Sequence, residues 1–202
     1  MNNNRKWAKE SIERDPEFFS RLVNIQTPQF LWIGCSDSRV PANEIVGLKP
    51  GEIFVHRNVA NQVPPSDINV LAVIQYSVQV LKVKDILVTG HYGCGGVRAA
   101  FRKHDHGPLE AWLSHVRDIR ARYKKELVLS SPEENENLLT ELNVKTQVYN
   151  IAKIPIVQLA WKNGQELRIH GFVYDLKDGL LKDMGVTIDS LDKIPEEYRV
   201  IE

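Results

Sequence analysis

The feature that most limits the fold of this chain is a repeated pattern in which a short apolar run ends in a loop with reactive side chains. Residues 30–34 (Phe-Leu-Trp-Ile-Gly) lead into Cys35, and residues 86–89 (Ile-Leu-Val-Thr) lead into a glycine-rich stretch that contains His91 and Cys94. Apolar runs of this length are typical of buried strands. The reactive residues are therefore predicted at the carboxyl ends of strands.

Between these runs, apolar residues recur at the spacing of an amphipathic helix. Residues 52–57 form a third run after the turn signal at 50–51, and Asp67 then caps an apolar helical stretch. This rhythm predicts an α/β fold with a central, mainly parallel β-sheet flanked by helices, with ligands bound at the strand carboxyl ends. The other predicted elements are helices at 5–22 (interrupted near Pro16), 109–123 and 132–152, a strand at 167–176 and a hairpin turn at 178–179.

Length and charge restrict the classes of function. A chain of 202 residues fits one domain, predicted over 1–202 with residues 1–25 as an N-terminal helical arm. Its 26 basic and 26 acidic side chains give a formal net charge of +0, so neither nucleic acid nor an anionic membrane is an expected partner. The N-terminus has no apolar leader and no segment has the roughly 18 apolar residues of a membrane helix, so a cytoplasmic protein is expected.

The candidate chemistry centres on two cysteines and one histidine. His91 and Cys94 have His-x-x-Cys spacing on a glycine-rich turn, and Cys35 can join them from a neighbouring strand end. Two sulfurs and one nitrogen suit Zn²⁺, and three protein ligands leave a fourth position for water, as in catalytic zinc sites. His-x-x-Cys alone is a weak signal, so the prediction depends on Cys35. The remaining histidines have no such partner and receive no metal role: His56, His104, His106, His115 and His170.

Asp37 and Arg39 follow Cys35 on the same loop. Arg39 can hold Asp37 ionised through a bidentate pair and aim it, either as an acceptor for zinc-bound water or as a competing fourth ligand. The simpler interpretation is a loop salt bridge without a catalytic role. Because two thiolates cancel the charge of Zn²⁺, the metal acidifies its water less than a three-histidine site does, and a nearby charged pair then has a clear purpose.

Four segments of the sequence resemble the signatures of one enzyme family. Residues 35–41 read Cys-Ser-Asp-Ser-Arg-Val-Pro, and residues 91–97 read His-Tyr-Gly-Cys-Gly-Gly-Val. The match extends through residues 56–61 (His-Arg-Asn-Val-Ala-Asn) and 170–175 (His-Gly-Phe-Val-Tyr-Asp). These motifs resemble those of β-class carbonic anhydrases, and the resemblance covers most of the chain from residue 26 to about 185.

The resemblance implies one Zn²⁺ per chain on Cys35, His91 and Cys94, with zinc-bound hydroxide attacking carbon dioxide to give bicarbonate and a proton. The aspartate–arginine pair of the same loop would form a dyad beside the metal. Family members bind substrate in an apolar cleft at a dimer interface, where a glutamine corresponding to Gln26 orients it. A homodimer or homotetramer is therefore expected, with the N-terminal helices packed on the dimer partner.

A subset of the family has a second, noncatalytic bicarbonate site, and Trp32, Arg57 and Tyr174 stand at the matching positions. In that subset bicarbonate inhibits by favouring a closed state in which the aspartate leaves its arginine and ligates the metal, so Asp37 would be the switch. The alternative is that Trp32 and Tyr174 are core aromatic residues. One departure is Asn43, where regulated members have an acidic residue, so the switch is expected to be tuned differently.

Three other classes are open on sequence alone. A thiol redox protein would use the two cysteines, but these are not in Cys-x-x-Cys spacing and His91 would have no role. A zinc module that senses bicarbonate without turnover conflicts with the intact charged pair after Cys35. A nucleic-acid zinc module lacks the basic surface that it would need.

Overall fold

The computed structural model describes residues 1–23, 26–102, 107–129 and 131–201, which form one sheet with helices around it. The strands are β1 (Phe30–Cys35), β2 (Ile53–Asn58), β3 (Asp85–His91), β4 (Arg168–Tyr174) and β5 (Leu181–Ile188). Their order in this five-stranded sheet is β2-β1-β3-β4-β5. Strands β1 to β4 are parallel and β5 is antiparallel to β4. The predicted α/β fold with a mainly parallel sheet is confirmed.

The helices agree with most of the predicted boundaries. They are α1 (Asn2–Arg14), α2 (Phe18–Val23), α3 (Ala42–Ile45), α4 (Ile68–Gln75), α5 (Gly95–Ala99), α6 (Pro108–Arg122), α7 (Pro132–Ala152) and α8 (Pro155–Lys162). Asp67 caps α4 by accepting the N–H of Asn69, and Ser131 forms a capping box with Glu134 at the start of α7. The eight residues of α8 have no counterpart among the predictions, because the segment is shorter than the roughly 11–18 residues over which helical periodicity is read. In the described ranges, no helix has both the length and the apolar character needed to cross a bilayer.

The two faces of the sheet are covered differently. Side chains alternate along a strand, so Leu31 and Ile33 point to one face while Trp32 points to the other. The first face forms the larger core with α4, α7 and α8. On the second face, Trp32 packs in a smaller cluster with Val40 and Ala42, at the start of α3. The loop that follows Cys35 therefore lies over the second face.

The N-terminal helices form a small aromatic cluster of their own. Trp7 of α1 meets Phe18 and Phe19 of α2 edge to face, with ring centroids 6.1 and 5.5 Å away. Leu22 lies against the turn at Gly51, which follows α3. The helix break near Pro16 is confirmed, and residues 24–25 of the predicted arm lie outside the described residues.

Candidate metal centre

The three predicted metal ligands come together at the carboxyl edge of the sheet. Cys35 ends β1, His91 ends the neighbouring β3, and Cys94 immediately precedes α5. Their candidate ligand atoms all lie within 4.8 Å of one another, and the two sulfurs are 3.8 Å apart. All three residues are buried, with 5%, 0% and 3% exposure. Three donor atoms this close can hold a single ion.

The orientation of the His91 ring fits metal binding. Its Nδ1 lies 3.0 Å from the carbonyl oxygen of Tyr92, and because a carbonyl can only accept, Nδ1 carries the hydrogen. The other ring nitrogen, Nε2, is buried and has no hydrogen-bond partner in the described part of the chain. An imidazole nitrogen without a hydrogen-bond partner beside two thiols is a donor set that fits zinc.

The two sulfurs have unequal affinities for a proton. The hydrogen bond with Cys94 lowers the pKa of Cys35, and backbone N–H groups of Ala60 and Asp37 add to this effect. The same contact, together with burial, raises the pKa of Cys94. Binding of a metal by both sulfurs requires both thiols to lose their protons, so metal affinity depends on pH.

Asp37 and Arg39 form the pair expected from the sequence. Arg39 donates from Nη2 to Asp37 Oδ2 at 2.7 Å and from Nε to Oδ1 at 2.9 Å. These bonds hold the pKa of Asp37 well below its usual range. Oδ2 of Asp37 also lies 3.6 Å from His91 Nε2. The carboxylate thus stays ionised directly beside the ligand cluster, a position that a simple loop salt bridge does not require.

Gln26 does not reach this cluster within its own chain. It lies just before β1, which begins at Phe30, whereas Cys35 ends the same strand. The strand separates its two ends by about 16 Å, at about 3.3 Å per residue. Gln26 is exposed. Within one chain it is therefore at the opposite end of β1 from the ligands.

The residues expected to form a second bicarbonate site lie beside the same loop. Trp32 is fully buried, and its indole covers Gly34 so closely that a Cβ there would lie 2.1 Å from Trp32 Nε1. That nitrogen has no hydrogen-bond partner among the described residues. Arg57 pairs in register with Gly34 and donates from Nε to the carbonyl of Cys35 at 2.9 Å. Tyr174 is partly buried in the same apolar cluster as Trp32.

One contact to the cluster has no signal in the sequence. The 3₁₀ turn Val59–Asn61 after β2 places Ala60 at φ 61° and Asn61 at φ 46°, and both residues are buried. The left-handed conformation costs an L-residue about 1–2 kcal/mol. It also places Ala60 in one buried group with Cys35 and Cys94. A glycine would have indicated such a turn, but alanine does not.

The other histidines in the described residues do not belong to the cluster. His56, His115 and His170 contact other side chains, as expected from their lack of a cysteine partner. His104 and His106 lie outside the described residues.

The fold and the donor set together define an α/β protein with a Cys-His-Cys group that could hold a metal ion. Comparison with known proteins gives its family. A family model described as carbonic anhydrase matches residues 30–181. The carbonic anhydrase of Emericella nidulans is 48% identical over 185 residues, which cover 91% of this chain and 81% of that protein. A β-carbonic anhydrase of Coccomyxa, solved in complex with acetazolamide, has a TM-score of 0.90 and 40% identity, with 95% of this chain and 87% of that chain covered.

A second solved structure adds information about assembly. One of two β-carbonic anhydrases from Sordaria macrospora that are described as tetrameric has a TM-score of 0.88 and 37% identity, with 93% of this chain and 95% of that chain covered.

This chain belongs to the β-class carbonic anhydrase family. It is accordingly a carbonic anhydrase, a lyase, and the family predicted from the four sequence motifs is confirmed.

Proposed function

We propose that this chain catalyses the zinc-dependent, reversible hydration of carbon dioxide to bicarbonate and a proton, with one Zn²⁺ per chain on Cys35, His91 and Cys94. The observation that supports this most is the buried group of three ligand atoms within 4.8 Å of one another. When bound, Zn²⁺ supplies Lewis-acid activation of water at neutral pH. Three protein ligands leave one coordination position open, as a catalytic zinc site requires.

Asp37 is the group of the chain that orients the reacting water. Its carboxylate is ionised and 3.6 Å from His91 Nε2, so it can accept a hydrogen bond from water at the open position. Arg39 fixes its orientation through two bonds from the guanidinium and one from the backbone N–H, and Oδ2 keeps a further lone pair for the water. If Asp37 left Arg39, it would become a fourth ligand and would block the reaction.

The complete active site lies between two chains in this proposal. Gln26 is at the far end of β1 from the ligands of its own chain, so it would orient carbon dioxide in the site of a dimer partner. Trp7 and Ile12 of α1 are 46% and 48% exposed, an apolar surface that a partner would cover. A homodimer is the smallest such assembly, and the tetrameric description of the Sordaria relatives supports a homotetramer.

The proposal includes a cytoplasmic location. Both metal-binding cysteines are free thiols and lie close together, so reducing conditions are needed to keep them available for zinc. The formal net charge of +0 supports carbon dioxide and bicarbonate, rather than nucleic acid or a membrane, as the partners besides further copies of the chain.

We also propose that bicarbonate inhibits the enzyme at a second site formed by Trp32, Arg57 and Tyr174. The buried indole N–H of Trp32 has no acceptor in the described part of the chain, which an anion would supply. Arg57 donates to the carbonyl of Asp37, so an anion that draws Arg57 away would release the loop and let Asp37 reach the metal. Regulated members have an acidic residue at the position of Asn43. Here the Asn43 side chain donates to the carbonyl of Lys49 at 3.1 Å and stabilises its own loop, which supports a differently tuned switch.

The first test measures zinc content and carbon dioxide hydration on the purified chain from mildly acidic to alkaline pH, with Cys94→Ala as the comparison. About one zinc per chain, activity that rises with pH, and loss of both in the variant are expected. Zinc without activity at any pH would leave a binding role, and absence of zinc would overturn the proposal.

Trp32→Phe tests the second site, because phenylalanine keeps an aromatic core residue but removes the N–H. We expect bicarbonate to inhibit the wild-type enzyme at mildly acidic pH and to inhibit this variant less. Equal inhibition of the two proteins would mean that Trp32 is a core residue only.

A further inference from the structure

A buried cluster of amide side chains links α7 to the turn beside the metal ligands. Gln62, Asn143 and Gln147 have 0%, 0% and 2% exposure. Asn143 Oδ1 accepts from Gln62 Nε2 at 2.6 Å and from Gln147 Nε2 at 2.9 Å. Burying amides is costly unless their hydrogen bonds are made, so this cluster has a defined geometry.

The amide cluster holds the strained Val59–Asn61 turn from both sides. The carbonyl of Ala60 accepts from Gln62 Nε2 at 2.7 Å and from Asn143 Nδ2 at 2.9 Å. Just after the turn, the N–H of Val63 donates to Gln147 Oε1 at 2.9 Å. Left-handed conformations of buried residues other than glycine persist only where the surroundings enforce them. These hydrogen bonds supply that enforcement at Ala60.

The same residue connects the cluster to the metal ligands. The amide side chains of Gln62 and Asn143 bind the carbonyl of Ala60. Ala60 also packs with Cys35 and Cys94 in one buried group, and a Cβ added at Gly96 would lie 3.2 Å from the Ala60 Cβ. A turn that relaxed would therefore loosen the packing around two candidate zinc ligands.

We propose that Gln62, Asn143 and Gln147 are positioning residues for the metal site, which hold Ala60 in its left-handed conformation so that it packs against Cys35 and Cys94 and keeps both sulfurs in place for Zn²⁺. This inference rests on the proposed zinc site. Partners that orient metal ligands from outside the coordination sphere typically change metal affinity by about 10- to 100-fold. The amide cluster acts in this way on the two cysteines through Ala60.

The test is the affinity of the purified full-length chain for Zn²⁺, measured by competition with a chromophoric chelator. Asn143→Leu and Gln147→Met remove amide hydrogen bonds with little change in size. Val148→Ala is the control, because Val148 is fully buried on the same helix but in the core against the sheet. We expect about 10-fold weaker Zn²⁺ binding in the two amide variants and less than about twofold change in the control.

Two further measurements separate positioning from general destabilisation. Absorption of the Co²⁺-loaded protein should show an altered thiolate-to-metal band in Asn143→Leu but not in Val148→Ala. Adding Ala60→Gly to Asn143→Leu should recover part of the Zn²⁺ affinity, because glycine adopts positive φ without strain. Absence of both effects would contradict a role for the strained turn.

The remaining outcomes are decisive as well. If either amide variant folds and binds Zn²⁺ as tightly as the wild type, or if Val148→Ala weakens binding equally, the inference is overturned. If neither amide variant folds, the cluster is structural and the inference is also overturned. A wild-type chain that binds no Zn²⁺ would refute the proposed function itself, which distinguishes the two failures.

Discussion

The two ends of strands β3 and β4 differ in whether their buried polar groups have hydrogen-bond partners. At their amino ends, Asp85 accepts from Arg168 at 2.6 and 3.0 Å, and the two ring nitrogens of His170 lie 3.0 Å from Asp85 and 3.0 Å from Thr187. At the carboxyl end of β3, Nε2 of His91 is buried without a partner in the described residues. At the amino ends these polar side chains are hydrogen-bonded. At the carboxyl end the ring nitrogen that could bind a metal has no hydrogen-bond partner in the described residues.

This difference separates stability from function along the same strands. The ion pair and hydrogen bonds at the amino ends contribute to folding, and both ring nitrogens of His170 already have partners there. At the other end, an unpaired buried nitrogen costs about 1–3 kcal/mol, a loss that metal binding reverses. Substitutions at the amino ends should therefore change stability alone, whereas those at the carboxyl ends should change Zn²⁺ binding and catalysis.

The largest expected effect comes from exchanging one ligand at the carboxyl edge. Cys35→Ser should lower Zn²⁺ affinity and carbon dioxide hydration by about 10³-fold or more, because a hydroxyl replaces a soft thiolate poorly. His170→Gln, its counterpart at the amino edge, should change neither. Chelator competition and stopped-flow hydration on both variants measure this. Loss of zinc from His170→Gln would show that the two ends are not separate.

Asp37→Asn should have the next largest effect. The neutral amide accepts a hydrogen bond from water more weakly than the carboxylate and loses its ion pair with Arg39, so the water is oriented less well and hydration should fall about 100-fold. Zinc content should not change, because the three ligands remain. Asp178→Asn, on an exposed turn, is the matched control and should retain full activity. If Asp37→Asn lost its zinc instead, Asp37 would be needed to build the site rather than to use it.

The same contrast explains what the sequence predicts and what it does not. Cys35, Asp37 and Arg39 follow an apolar run directly, so the local pattern places them together at a strand end. The bonds from Arg57 to the Cys35 carbonyl and from Asn143 to the Ala60 carbonyl join residues 22 and 83 positions apart. Contacts between residues so far apart in the chain produce no local periodicity or motif that the sequence alone would reveal. The completed ion pairs of Asp85 are hidden in the same way, because their members are on different strands.

Asp85→Asn tests the amino end through pH. Burial pushes the pKa of Asp85 up, but hydrogen bonds from Arg168 and His170 outweigh it and hold the pKa below the ordinary value. A carboxylate with a lowered folded-state pKa stabilises above its unfolded pKa of about 4, and this contribution is lost as pH falls through the folded value. Urea unfolding of the metal-free chain should show the variant about 2 kcal/mol less stable at pH 7. The difference should narrow below about pH 4; a difference that stayed constant down to acidic pH would contradict an ionic origin.

Thr187→Val should have the smallest effect and gives the strictest test of separation. Valine keeps the shape of threonine but removes the hydroxyl next to His170 Nδ1, which should cost about 1 kcal/mol. Because His170 bridges Thr187 and Asp85, the double variant with Asp85→Asn should deviate from additivity by about 0.5 kcal/mol or more. In the metal-free chain, Thr187→Val combined with Cys35→Ser should instead be additive within about 0.5 kcal/mol, since these sites share no partner. If Thr187→Val coupled to Cys35→Ser as strongly as to Asp85→Asn, the hydrogen bonds at the amino ends would also affect the candidate metal site at the carboxyl ends.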